Sequence, residues 1–357
     1  MAATVNLAAL TFSADQLRQM NELMVEAVLT SPELSLFHSF QTGIRNDRQI
    51  GISPGTLGLI GKAAQGCGDR TPESNTLVIA LKTWSPKRIE VILRQCYTDL
   101  ETSLAKLARN LGVEIYDLTS TEYFAFVLEI LRKDITKMVF RHLWFGDTAA
   151  ANVSDSPAGV ITDGISTDYF NLINGFFQQL AVIYAADANR KTSIAANAQA
   201  TTALQFSAFS ATNALDALNA VVDDAPAELT AQSDRFLLVT DSVHKKARRA
   251  LQALGVAYKT ELQTGGIVIS EWDGIPLYSI PLWDQWIRAY QSNGTKLNNP
   301  HRIVYTTKSN LMAGMEGNGM FESLDVHYDK VTKYNYIETV DAFDAKVIMD
   351  GLVQVGI

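Results

Sequence analysis

The chain has 357 residues, 47% of them hydrophobic and 19% charged, with 30 Lys and Arg against 38 Asp and Glu, for a net charge of −8. That composition is too apolar for a disordered chain and gives no overall attraction to nucleic acid or anionic lipid. No apolar run approaches the roughly 18 residues of a membrane-spanning helix.

At roughly 150 residues per domain, two domains are expected. The first basic side chain is Arg18, and no positive n-region or cleavage site marks a secretory signal. Cys67 and Cys96 form no CxxC pair, so free thiols in a reducing compartment are expected.

The chain opens on an amphipathic helix. Ser13 and Gln16 form a capping box, and Leu17, Met20, Leu23, Met24 and Ala27 recur at helical spacing before Pro32. This stripe has no local partner and must lie on another surface. Residues 41–75 carry Gly43, Gly51, Gly55, Gly58, Gly61, Gly66 and Gly68 among Pro54 and Pro72, which predicts a long loop of the kind that either carries function or is disordered. Leu77, Ile79 and Leu81 alternate with Val78, Ala80 and Lys82, and Ile89, Val91 and Leu93 alternate with Glu90 and Arg94. With Trp84-Ser-Pro86 between them, these two runs predict a hairpin away from any core.

A helix is expected over 98–111, capped by Thr98 and Glu101 and stopped by Gly112. A second runs from about 120 to Phe145, with Phe124, Val127, Leu128, Leu131, Ile135, Met138 and Val139 on one face. At ~1.5 Å per residue it is a rod of roughly 37 Å. Residues 147–167 are small and polar and read as a linker.

Tyr169, Leu172, Ile173, Phe176, Phe177 and Leu180 predict the next helix, and Leu215, Leu218 and Val222 another. Phe236 to Val239 reads as a strand running into Asp241 as helix N-cap. Val243, Ala247, Ala250, Leu251 and Leu254 form that helix's buried face, and Gly255 ends it. Asp273-Gly274 between two alternating runs is a hairpin signal. Arg302 to Tyr305 is a further strand, and 324–355 alternates in short runs.

Candidate chemistry is thin. AGMEGNGMF holds Gly314, Gly317 and Gly319 in GxxGxG spacing with no P-loop lysine, so a mobile turn is expected. Asp325, His327 and Asp329 would share one strand face; a charged exposed edge accounts for them without a metal. No histidine pair has HExxH spacing, and His142 on the long helix reads as a packing residue. A triad built from distant residues is invisible in sequence. Lys245, Lys246, Arg248 and Arg249 form the one basic cluster, read as a solvated helix face with a phosphate or acidic-partner site as the alternative. No catalytic residue, metal or cofactor is expected.

The order of elements resembles the major capsid protein of tailed bacteriophages, the Hong Kong 97 fold. The resemblance rests on RHLWFGDT at 141–148, which is similar to the end of the family's spine helix, and on SPAGVI at 156–161, similar to the turn after it. It rests also on strand 236–239, helix 241–254 and WDGIPLYSIP at 272–281, which look like the core of the family's axial domain. It implies an α+β, phage capsid-like fold with an N-terminal arm (1–40), an extended E-loop hairpin (41–97), a peripheral domain with the long spine helix (98–168), an axial α+β domain (169–323) and return strands (324–357).

The function implied is that of a structural protein: a major capsid subunit that self-assembles into an icosahedral shell around double-stranded DNA. The implied partners are copies of itself in pentamers and hexamers, portal, scaffolding and decoration proteins, and packaged DNA bound without sequence specificity. No membrane is involved, and the location is the virion, assembled in the host cytoplasm. Leu17, Met20, Leu23, Met24, Leu77, Ile79, Leu81 and Trp84 are the expected contacts with neighbouring copies, since a lone hairpin is marginal in water. An encapsulin-like shell and a two-domain α+β enzyme are the alternatives.

Overall fold

The computed structural model describes residues 32–46, 48–52, 80–96, 121–150, 162, 165–255, 260–262, 267–317, 323–329 and 334–357. The expected helices at 13–29 and 98–111 lie outside these residues, as do Leu17, Met20, Leu23, Met24, Leu77 and Ile79. In chain order the elements begin with α1 (Pro32–Ser35), β1 (Ser39–Gln41), β2 (Gln49–Ile52), β3 (Ala80–Thr83), β4 (Lys87–Cys96) and α2 (Thr121–Phe145). Next come α3 (Phe176–Ala186), β5 (Lys191–Thr192), α4 (Thr202–Ala208), α5 (Ala211–Asp223), α6 (Ala227–Thr230), β6 (Arg235–Thr240) and α7 (Asp241–Ala253). The remainder is β7 (Thr260–Leu262), β8 (Val268–Trp272), β9 (Ile275–Ile280), α8 (Pro281–Tyr290), β10 (Ile303–Thr307), β11 (Leu311–Met315), β12 (Ser323–Asp329), β13 (Tyr334–Val347) and β14 (Gln354–Gly356).

One sheet has seven strands in the order β5-β14-β10-β6-β9-β8-β7. Its centre is β6, whose apolar run FLLV is continuous because both faces are covered. Phe236 and Leu238 face one core cluster, and Leu237 and Val239 the other. The second cluster is closed by α5 and α7 through Ala214, Leu218, Val221, Val243 and Ala247. The helix after β6 begins as expected, but Thr240 is its N-cap residue and Asp241 its first helical residue. The β8–β9 hairpin is as expected: Asp273 and Gly274 both take positive φ, 49° and 72°, as a two-residue turn of this type demands.

The other main sheet joins distant segments. β13 is one strand of 14 residues rather than short runs. It pairs antiparallel with β11, β12 and β4, while β1 adds to β11 in parallel. Here the expected hairpin is corrected. The run at 80–83 pairs with β2, Leu81 opposite Gly51, and the run at 87–96 pairs with β13, Ile89 opposite Asp341. Adjacent runs formed different ladders because β13 offers β4 a ten-residue partner, more than the short run can match.

The long helix is as expected. Ile135, Val139, Phe140, Leu143 and Trp144 are buried, with Lys133, Asp134 and Lys137 exposed on the other side. Its C-terminal end enters a cluster shared with the seven-stranded sheet: the Trp144 ring lies tilted against Trp283 of α8 (4.6 Å, 59° between planes) and Phe176 of α3 (5.0 Å, 58°). The helix expected from Tyr169 starts later, at Phe176. Gly175 donates to the Gly146 carbonyl (2.8 Å), and a Cβ there would meet the His142 and Leu143 carbonyl oxygens at 2.7 Å. This close crossing of two backbones turns the chain before the helix can begin. The α8 helix was not anticipated, although Pro281 at its first position and Trp283, Trp286 and Ile287 at i, i+3 and i+4 spell its start and its buried stripe.

Candidate functional site

The short ribbon β2–β3 belongs to neither large sheet, and its root is where three segments meet. Trp84 directly follows β3 and is 1% exposed, with Ile44 at 0%. Both rest on Gly314 of β11, where an added Cβ would meet Ile44 Cδ1 at 2.7 Å and Trp84 Cζ3 at 2.8 Å. Gly314 is therefore a strand residue kept small by the indole above it, which corrects the expectation of a mobile turn there. Ile44 N–H donates to the Met315 carbonyl (2.9 Å) and Trp84 N–H to the Arg48 carbonyl (3.0 Å).

The opposite side of the root is polar. Ser85 N–H donates to Asp344 Oδ2 (2.8 Å), which Lys346 Nζ approaches at 3.2 Å. Burial raises the Asp344 carboxyl above the usual carboxylate range, with Lys346 and the Ser85 amide pulling the other way. Lys82 Nζ donates to the Val347 carbonyl (2.7 Å) and to Asp350 Oδ1 (2.5 Å). The ribbon thus leaves a fixed base: indole on glycine on one side, charge on charge on the other.

This overturns one expected contact. Trp84 is covered by its own chain and needs no second copy to bury it. Leu81 lies in β3 at this root, and the other expected contacts fall outside the described residues. On β4, Ile92 is a large apolar residue left half-exposed. The signal for Trp84 was present in the sequence: a tryptophan that closes the run after a glycine-rich arm can be the arm's anchor.

The distant-triad reading has one set of residues to answer for. Ser242 Oγ lies 2.9 Å from His301 Nδ1, and Asp284 accepts from the Asp241 and Ser242 amides (2.6 and 3.3 Å). The far ring nitrogen of His301, Nε2, is satisfied by the Gln205 carbonyl at 3.2 Å instead of a carboxylate. The ring is fully buried, stacked 3.9 Å from Phe209, and burial lowers its pKa to about 4. Asp284, pushed up to about 6 mainly by burial, caps the N-terminus of α7. The set staples α7, α8 and the segment before β10, and no substrate reaches its histidine.

Two more histidines sit inside the shared cluster. His38 stacks on Phe176 (5.3 Å, 7° between planes) and is lowered to about 4 by burial; His142, facing Phe343, is lowered to about 3 for the same reason. His142 is a packing residue, as expected. Of the basic cluster, Lys245 pairs with Asp241. Asp325, His327 and Asp329 do lie on one strand, β12.

No family model matches the chain, and no curated protein matches it. Solved structures do. A chain of the satellite phage P4 procapsid with its size-determination protein superposes with a TM-score of 0.51 at 10% identity, over 95% of this chain and 97% of that one. A chain from the capsid of the native GTA particle aligns at 10% identity, TM-score 0.49, over 92% and 89%. The SrpI encapsulin of Synechococcus elongatus PCC 7942 aligns at 12% identity, TM-score 0.45, over 91% and 87%. The described residues have the fold of the P4 procapsid chain, an α+β capsid-like fold with a long helix, as the resemblance implied.

Proposed function

We infer that this chain is a shell subunit: a major capsid protein that assembles with copies of itself into an icosahedral particle enclosing double-stranded DNA. The observation that carries this reading is the superposition on the procapsid chain, which leaves almost no part of either chain unmatched. The ribbon root supports the reading physically. A two-stranded ribbon held apart from both sheets on a fixed base has too few strands to stand alone in water, and a neighbouring copy supplies the missing surface. Heterologous contacts of this kind close into shells when the rotation between copies closes.

In this reading 1–40 is the N-terminal arm, 41–97 the E-loop, 98–168 the peripheral domain, 169–323 the axial domain and 324–357 the return strands. Leu17, Met20, Leu23, Met24, Leu77, Ile79 and Leu81 contact adjacent copies in pentamers and hexamers. Portal, scaffolding and decoration proteins complete the particle, which assembles in the host cytoplasm, and no chemistry is catalysed.

Size-exclusion chromatography and negative-stain microscopy of the expressed chain test this. The expected result is capsomers or particles of many copies, with nuclease-protected DNA in particles recovered from an infected host. A discrete monomer with a radius of gyration near 20 Å, at every concentration and with no particles in the lysate, would sink it. Protein cargo in place of DNA would move the function to an encapsulin-like compartment.

A further inference from the structure

A pocket of about 340 Å³ opens where the end of α2, the α3 helix and the segment before β10 meet. Arg302 lies on its lining and is 4% exposed. Its guanidinium stacks over Phe177 (4.4 Å) and Phe145 (5.4 Å). Nε donates to the Asn299 carbonyl (2.9 Å), and Nη2 to Gln291 Oε1 (2.7 Å) and the Asn298 carbonyl (2.8 Å). Asn299 holds φ at +42°, a conformation few non-glycine residues adopt, in the turn that offers these two carbonyls.

Every one of those acceptors is neutral. Among the described residues no carboxylate forms an ion pair with Arg302; those hydrogen bonds come from Nε and Nη2, and Asp284 acts on it through space. A buried guanidinium is ordinarily matched by a carboxylate, because desolvating an unpaired charge is costly. Burial here lowers the pKa of Arg302 to about 10, so at neutral pH it keeps its charge. Lys191, exposed, lies on the same lining, its Nζ 5.4 Å from the Tyr184 ring. Asp147, a carboxylate also on the lining, is turned to its own loop, where Oδ1 accepts from Ala149 N–H. Arg offers a planar fork that matches oxyanions in two directions.

We propose that this pocket binds a small oxyanion from solution, inorganic phosphate or a carboxylate of similar size, with the Arg302 guanidinium as the donor on its wall and Lys191 as the cation at the mouth. The proposal does not rest on the shell reading, since the site is built within one chain. The ion adds a direct negative partner for Arg302, which Asp284 reaches only through space, and ties α2, α3 and the seven-stranded sheet together. Ligand bound to the folded state alone raises its stability by mass action.

Isothermal titration with inorganic phosphate, on dissociated subunits and on assembled particles, is the test, with thermal melting at constant ionic strength beside it. Saturable binding in both forms, and a higher melting temperature in phosphate than in matched chloride, are expected. Lys191→Glu, on an exposed side chain, leaves the fold intact and weakens binding about tenfold; Lys191→Arg restores it. Arg302→Gln abolishes binding, and its folding is checked by circular dichroism. If that variant fails to fold, the Lys191 pair carries the test. Absence of saturable heat, equal melting in phosphate and chloride, or Lys191→Glu binding like the wild type would each overturn the site. Binding to subunits but not to particles would overturn it too, since a carboxylate of an adjoining copy would then fill the pocket.

Discussion

The seven-stranded unit and the sheet around β13 use the same residue types in opposite ways. In the first, β6, α7, β8 and β9 follow one another within residues 235–280 and pack on each other directly. In the second, Lys87 pairs with Phe343, Ser39 with Met312, and Trp84 rests on Gly314. The 235–280 part of the first can form from its own pattern; the β13 sheet, like the β5–β14 edge of the seven-stranded one, exists only once the chain has returned on itself. Loop closure must be spent before such contacts reward it, so the second sheet is the more vulnerable to single changes.

The largest expected effect is at the ribbon root. Trp84→Ala should cost about 3–5 kcal/mol of subunit stability, read as a lowered urea midpoint with an unchanged slope. This departs from the expectation that Trp84 is a contact with neighbouring copies. A variant as stable as the wild type that fails to form particles would mean that the indole serves a neighbour after all.

Acid comes next. His38 and His142 are neutral in the fold and are held well below 6.5 by burial, with Lys308 and Arg141 adding repulsion. A depressed folded pKa means that stability is complete above about 6.5 and is lost as pH falls towards about 4 for His38 and about 3 for His142. Each ring should cost about 2 kcal/mol between pH 7 and 5, seen in urea midpoints across that range. A His142→Phe variant should flatten the profile, and an unchanged slope would remove His142 from the account.

Asp344→Ala should cost about 1–3 kcal/mol, because Ser85 N–H and Lys346 lose a buried acceptor. Its signature is faster hydrogen exchange at 80–86 than in β6. The smallest effect belongs to the local unit. Gly274→Ala meets no atom within 4 Å and suffers only from φ +72°, so about 1 kcal/mol is expected. A Gly274 loss larger than that of Trp84 would invert the ranking of the two regions.

Much was legible in the sequence. FLLV running into Asp241, the apolar face of α7 from Val243 to Ala250 (Leu254, expected on it, is exposed) and the Asp273-Gly274 turn are local statements, each decided by residues a few positions apart. The spine helix was equally plain, since 3.6-residue periodicity sustained over 25 residues has one reading. The start of α3 was not legible: the Gly146–Gly175 crossing overrides an apolar spacing that begins at Tyr169. The α8 helix was legible and passed over.

The pairing of β4 was hidden for a different reason. Alternation says that a strand exists and which residues share a face, but not which strand lies beside it. By itself, then, the sequence determined the order and kind of most described elements and the resemblance that order carries, because periodicity and capping are short-range physics. Which ladder took Ile89, why Gly314 has no side chain, and that Arg302 would lie buried without a carboxylate were settled only when segments far apart in the chain came into contact; their energies depend on neighbours that no window of sequence contains.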